Sequence, residues 1–193
     1  MIKYVLVYAY TVESHIPTQV PMMLKSKPSY LKGLLNLPGG KLDSGENPVD
    51  AAIRELKEET GLDEIQEYDP MTYCPAELVG KIWGNDCVIY CVKVPVSFRQ
   101  DLNPDEAETE PISWYDVSSL NDNPILMPNL RLVIPLLEGG YKNWDVVDKK
   151  YDHRNKYHII RLYLNRQTNT NWSGMDVKVR GLGYYDKFRN SVQ

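Results

Sequence analysis

The chain has 193 residues, 42% of them hydrophobic and 25% charged, with a formal net charge of −4. That length can bury a sizeable core and that balance is ordinary for a globular protein, which excludes a disordered or fibrous chain. No apolar run is long enough to cross a bilayer as a helix, and Cys74, Cys87 and Cys91 form neither a C-x-x-C pair nor an even disulfide set. The expected setting is reducing and cytoplasmic, away from membranes.

The opening MIKYVLVYAY is too short and too rich in tyrosine for a signal peptide, and Lys3 to Tyr10 reads as a buried strand. Pro21 to Lys25 gives a second short strand after a polar loop. Lys25, Lys27, Tyr30 and Lys32 follow in a loop, where lysines either meet phosphate groups or are simply solvated. Pro38-Gly39-Gly40 is a turn whose glycines expose backbone groups.

A helix is well specified next. Asn47 reads as its N-cap, Pro48 as its first residue, Asp50 as the acidic residue of the first turn and Gly61 as its stop. Val49, Ala52, Ile53 and Leu56 make the expected buried stripe. Arg54 lies four residues from both Asp50 and Glu58, so either pair can form. Glu55, Glu58 and Glu59, at i, i+3 and i+4, share one face. Each like-charge pair at such spacing costs roughly 0.2–0.5 kcal/mol, so the cluster makes sense with something positive in front of it, most simply a hard dication.

Ala76 to Trp83 and Asp86 to Val94 read as two strands joined at Gly84-Asn85, with Cys87 and Cys91 on one face as packed thiols. An acidic loop, Asn103 to Pro111, leads to a short strand carrying Trp114. Asn129 to Leu137 reads as an apolar helix, with Asn129 placed to cap it. Beyond Gly140 the composition changes. Residues 141–193 hold eleven Lys/Arg and five Asp, a local charge of +6 that leaves −10 on the remainder. Tyr157 to Leu164 and Met175 to Val179 alternate as strands, and Trp144, Tyr151, Tyr157, Tyr163, Trp172, Tyr184 and Tyr185 intersperse the basic residues. A 1–140 domain with a basic, aromatic-rich, β-rich extension at 141–193 is expected. The extension serves docking or homodimerisation in preference to binding single-stranded nucleic acid.

Gly40, Glu46, Arg54-Glu55-Leu56, Glu58-Glu59 and Gly61-Leu62 together resemble the Nudix box at every defined position, and Leu35 to Gly40 resembles the strand and turn that lead into it. The resemblance covers about residues 1–140. It implies an α/β/α sandwich with a mixed, curved sheet and the box helix on one side. It also implies hydrolysis of a phosphoanhydride in a nucleoside diphosphate linked to another group, without a covalent intermediate.

By that resemblance, Glu55, Glu58 and Glu59 hold Mg²⁺, with Mn²⁺ as a substitute and the Gly40 carbonyl as a further ligand. Glu46 serves as ligand or support, and Arg54 braces a neighbouring carboxylate. A late glutamate, Glu108 ahead of Glu106 and Glu110, is either a metal ligand or the catalytic base, and water is activated either by it or by a glutamate of the box. Asn129 would read a nucleobase, and Lys25 is a candidate for substrate phosphates. The expected substrate is a nucleoside triphosphate or modified dNTP, released as monophosphate and pyrophosphate. ADP-ribose, nucleotide sugars, dinucleotides and capped RNA are the alternatives, and a non-catalytic nucleotide-binding module is the reading from another class.

Overall fold

The computed structural model describes residues 1–11, 18–29, 31–65, 75–84, 86–97, 100–139, 142–152, 157–164 and 173–180, with backbone alone from 147 onward. Tyr30, Cys74, Asn85, Gly140, Trp172, Tyr184 and Tyr185 lie outside the described residues. In chain order the elements are β1 (Ile2–Thr11), β2 (Gln19–Leu24), β3 (Leu35–Asn36), α1 (Pro48–Thr60), β4 (Glu77–Trp83) and β5 (Cys87–Val96). There follow β6 (Ile112–Asp116), α2 (Val117–Leu120), α3 (Leu130–Glu138), β7 (Trp144–Asp152), β8 (Tyr157–Leu164) and β9 (Ser173–Arg180).

Two sheets form. A six-stranded sheet runs β1-β5-β4-β7-β8-β9, and a three-stranded one runs β3-β2-β6. β1 pairs parallel with β5 and β4 parallel with β7, while the remaining pairs of the large sheet are antiparallel. β4 and β5 make the expected hairpin, closed where the Gly84 N–H donates to the Cys87 carbonyl at 2.9 Å.

Val5, Leu6, Val7, Tyr8 and Ala9 are buried in succession, because helices cover both faces of β1. On one face Val5, Val7 and Ala9 pack with Ala52 and Leu56 of α1 and with Val92 and Val94 of β5. On the other, Leu6, Tyr8 and Cys91 pack with Val133, Ile134 and Leu137 of α3. The result is the α/β/α layering, with α1 and α3 on opposite sides. Cys91 is a buried free thiol and Cys87 a half-buried one.

The sheet-facing side of α1 differs from the expected stripe. Ala51, Ala52, Leu56, Glu59 and Thr60 are buried, whereas Ile53 is only half-buried. The buried side is therefore rotated from Ile53 toward Ala51 and Glu59, which carries the Glu59 carboxylate under the Pro38-Gly39-Gly40 turn.

The strands after residue 140 continue the large sheet. Trp144 is buried against the α3 side, and a Cβ on Gly80 of β4 would collide with its indole ring. The Trp83 indole N–H also donates to Asp145 at 2.8 Å. β7 escapes a reading by alternation because it is charged through its middle and its pairing with β8 slips between Asp148 and Lys150. Trp144→Ala should lower stability by about 3–5 kcal/mol through loss of the buried ring and the cavity it leaves. Urea unfolding measures this, and a loss below about 1 kcal/mol would show that β7 is not seated as described.

Candidate active site

The site is built at the junction of β1, the turn at 38–40 and α1. The Val7 N–H donates to the Pro38 carbonyl and the Val5 N–H to the Gly40 carbonyl, both at 2.8 Å, so the turn is clamped to the first strand. Gly39 has φ +145°, and a Cβ there would strike the Val5 carbonyl, so no other residue fits without moving the strand. A Cβ on Gly40 would fall on the carboxylate of Glu55. The glycine pair is thus what lets the acidic face of α1 approach the turn.

α1 starts and stops as expected. Asn47 accepts from the Val49 N–H at 2.9 Å, and Gly61 (φ +74°) returns its N–H to the Lys57 carbonyl at 2.8 Å. Arg54 passes over Asp50 and collects the acids instead. Its Nε and Nη2 donate to the two oxygens of Glu46 at 2.9 and 3.0 Å, a bidentate pair. Its Nη1 donates to Glu55 at 2.8 Å and to Glu58 at 3.1 Å, and Nη2 also reaches the Lys41 carbonyl at 3.3 Å. Glu46 accepts further from the Asp43 N–H at 2.9 Å, and the Arg54 hydrogen bonds hold its carboxyl below the usual range. Glu46 therefore spends both oxygens on Arg54, which makes it a brace for the helix acids in this arrangement.

Glu59 lies deeper. One oxygen accepts from the Gly39 N–H at 2.6 Å, and the residue is only 8% exposed. Burial pushes its carboxyl up to about 7, against the Gly39 N–H and the Lys25 charge and with added repulsion from Glu55 and Glu108. Burial likewise raises Glu55, opposed by Arg54 and reinforced by Glu58 and Glu46.

The acidic loop hangs from the end of α1, where the Asn103 N–H donates to Thr60 O and the Asp105 N–H to Glu58 O, at 2.8 and 2.9 Å. The three late glutamates then separate. Glu106 is exposed, and Glu108 lies within electrostatic reach of Glu59. Glu110 is buried and occupied elsewhere: it accepts from the Ser26 N–H at 2.6 Å, the Ser26 hydroxyl at 3.1 Å and the Lys27 N–H at 3.2 Å, and it pairs with Lys25. Against the cost of burial, Lys25 and those N–H groups hold Glu110 below the usual carboxylate range. Lys25 is thus pinned beside the box, between Glu110 and the field of Glu59.

Among the described residues no three acidic, histidine or cysteine side chains already converge as a closed metal cage. Arg54 engages one oxygen each of Glu55 and Glu58, and the Gly39 N–H engages one of Glu59, so each carboxylate keeps its second oxygen. An all-carboxylate donor set, two of whose members, Glu55 and Glu59, are pushed up by burial and by neighbouring acids, fits a hard dication such as Mg²⁺ or Mn²⁺. The Gly40 carbonyl, already accepting from Val5, keeps one lone pair for such an ion.

Asn129 does not cap α3. Its backbone is already helical (φ −66°, ψ −27°), it makes no side-chain cap bond, and its Oδ1 is buried without a partner. Asn36 Oδ1 and Tyr8 Oη are likewise buried and unpartnered among the described residues. The Leu35 N–H donates to Ile125 O and the Met127 N–H to Leu35 O, at 2.8 and 2.9 Å, so the segment leading to Asn129 runs beside the strand of Asn36. The sequence reading missed Asn36 and Tyr8. Its available signal was a polar side chain set between the apolar Leu35 and Leu37.

A family model for the NUDIX domain matches residues 18–137. Nudix hydrolase 10 of Arabidopsis thaliana is 31% identical over 97 residues, which are 50% of this chain and 34% of that protein. An RNA pyrophosphohydrolase of Cereibacter sphaeroides is 47% identical over 55 residues, 25% of this chain and 34% of that protein. The chain thus spans about a third of the length of these curated relatives. Among solved structures, the MutT protein from Bacillus halodurans aligns with a TM-score of 0.55 at 16% identity, covering 84% of this chain and 97% of that one, a likeness of fold. With more than half of its length matched by the family model and its glycine turn, arginine brace and helix acids assembled in one place, the chain belongs to the NUDIX domain family.

Proposed function

We propose that this protein hydrolyses a phosphoanhydride bond in a nucleoside diphosphate linked to another group, using Mg²⁺ held at Glu55, Glu58 and Glu59. The observation that carries the reading is the crowding of these carboxylates at a turn that leaves no side chain between them and backbone. When bound, the dication neutralises phosphoryl oxygens and so opens phosphorus to attack by water. The chain's residues do the rest. Arg54 fixes the orientation of Glu55 and Glu58, and the Gly39 N–H fixes Glu59. Water adds its oxygen to phosphorus, its proton passes to a glutamate, and the bond to the bridging oxygen breaks. Glu108 is the proton acceptor of choice, since Glu110 is committed to the 25–27 turn and Glu106 is exposed.

The substrate proposed first is a nucleoside triphosphate, modified dNTPs included, released as monophosphate and pyrophosphate. It is supported by Asn129 and Asn36, half-buried residues whose Oδ1 atoms are buried without a hydrogen-bond partner and are acceptors of the kind that meets a donor on a nucleobase edge. Lys25 would face the phosphates. Removal of pyrophosphate from an RNA 5′ end is the second reading, favoured by the likeness to the bacterial RNA pyrophosphohydrolase. Residues 1–140 carry the hydrolytic site, and 141–193 serve as an accessory that adds Trp144 and Val146 to the core, in a cytoplasmic setting that suits the free thiols of Cys87 and Cys91. Among the described residues no helix is long and apolar enough to cross a membrane.

Product identification with Mg²⁺ across dNTPs, oxidised dNTPs, ADP-ribose, dinucleotides and 5′-triphosphorylated or capped RNA separates these substrates. Monophosphate plus pyrophosphate from a dNTP is the expected result, and silence across the panel would leave a binding module. Glu58→Gln should cut turnover by about a hundredfold or more with the circular dichroism spectrum unchanged, whereas full activity would reject the metal assignment. With Glu59 raised to about 7, its protonated form cannot ligate, so Mg²⁺ affinity should climb as pH rises through neutrality and binding at about pH 6 should release protons. Calorimetric titration in buffers of different ionisation enthalpy reads this directly, and an affinity flat between about pH 6 and 8 would contradict it.

A further inference from the structure

The two outer edges of the six-stranded sheet are treated differently. Beyond β1, the segment 38–42 supplies backbone partners: Val7 N–H to Pro38 O, Val5 N–H to Gly40 O and Leu42 N–H to Lys3 O, at 2.8, 2.8 and 3.0 Å. Beyond β9, at the other end, no described residue pairs. A regular eight-residue edge without proline, which no described residue covers, is a template for another strand.

We propose that β9 pairs antiparallel with β9 of a second copy of this chain, joining two sheets across a two-fold axis at Val177. The register follows from the sequence of the strand. A two-fold antiparallel pair must set one residue opposite itself. Centring on Asp176 opposes two aspartates, and centring on Lys178 sets Asp176 opposite Arg180 on either side but opposes two lysines at the axis, so each leaves a like-charge pair directly across the ladder. Centring on Val177 instead sets Asp176 opposite Lys178 and Lys178 opposite Asp176, with Met175 opposite Val179 on either side. The strand is complementary to itself in this register.

The apolar positions also continue an existing row. Val146, buried in the α3-side core, stands opposite Leu162 on β8, which stands opposite Met175 on β9. Pairing at Val177 carries that row across the seam to Val179 of the copy. A second copy of the chain is thus the partner whose chemistry the basic extension fits, whatever the site at α1 hydrolyses.

The test is the mass of the full chain in solution by light scattering and sedimentation equilibrium. Wild type should be a dimer. Asp176→Lys and Lys178→Asp each place like charges opposite one another twice and should weaken self-association at least about tenfold. An equimolar mixture of these two variants restores opposite charges at every position and should form a heterodimer, and the double swap Asp176→Lys/Lys178→Asp should dimerise as wild type does. A monomeric wild type, single variants that dimerise unchanged, or a double swap that stays monomeric would each overturn the proposal. Circular dichroism checks the fold of each variant, and if a single variant fails to fold, the double swap decides alone.

Discussion

Arg54 is the contact on which the rest of the site depends. Glu46, Glu55 and Glu58 crowd one end of a helix and the loop before it, and their mutual repulsion has to be offset before any ligand arrives. One guanidinium does this by a bidentate grip on Glu46 and single hydrogen bonds to Glu55 and Glu58. A lysine could supply the charge but not the planar fork that binds several carboxylate oxygens at fixed angles. The same grip ties the 43–46 loop to α1 through Glu46, which also accepts from the Asp43 N–H.

The second constraint comes from β1. The turn at 38–40 is hydrogen-bonded to a strand buried on both faces, and Glu59 is hydrogen-bonded to the turn. Through those two links the position of the acidic helix is set by the rigid centre of the sheet. Site geometry therefore inherits the stability of the core, which is how loops come to hold well-defined chemistry without regular structure of their own.

Local signals make α1 and its acids legible from residue order alone: an asparagine cap, a proline in the first turn, a glycine in the left-handed region after the last, and charges at helical spacing. The division of labour among those acids is not legible in that way. Which carboxylate turns under Gly39, and that Arg54 prefers Glu46 to Asp50, depends on how the helix is rotated on the sheet, and that rotation puts Ala51 and Glu59 inside while leaving Ile53 half out. Spacing ranks the late glutamates Glu108, Glu106, Glu110 but carries no information that Glu110 anchors Ser26 and Lys27, a contact spanning more than eighty positions. For Asn129 the local signal points to a cap, and the fold withdraws it, because the residue is already helical and its amide makes no cap bond. β7 is hidden for a simpler reason, since its middle is charged and its ladder slips, so no period of two survives.

Charge asymmetry along the chain has a structural counterpart. The acidic portion carries the helix acids and the loop of Glu106 to Glu110, while Lys149, Lys150, Arg161, Lys178 and Arg180 fall on strands that prolong the large sheet beyond β4. The central claim, that the acids of α1 exist to hold a dication beside a phosphoanhydride, is tested most directly by a crystal soaked with Mn²⁺ and a non-hydrolysable nucleotide. An anomalous peak about 2.0–2.3 Å from oxygens of Glu55, Glu58 and Glu59, with the phosphate chain against it, is the predicted result. A nucleotide bound elsewhere, with no anomalous density beside α1, would contradict the account.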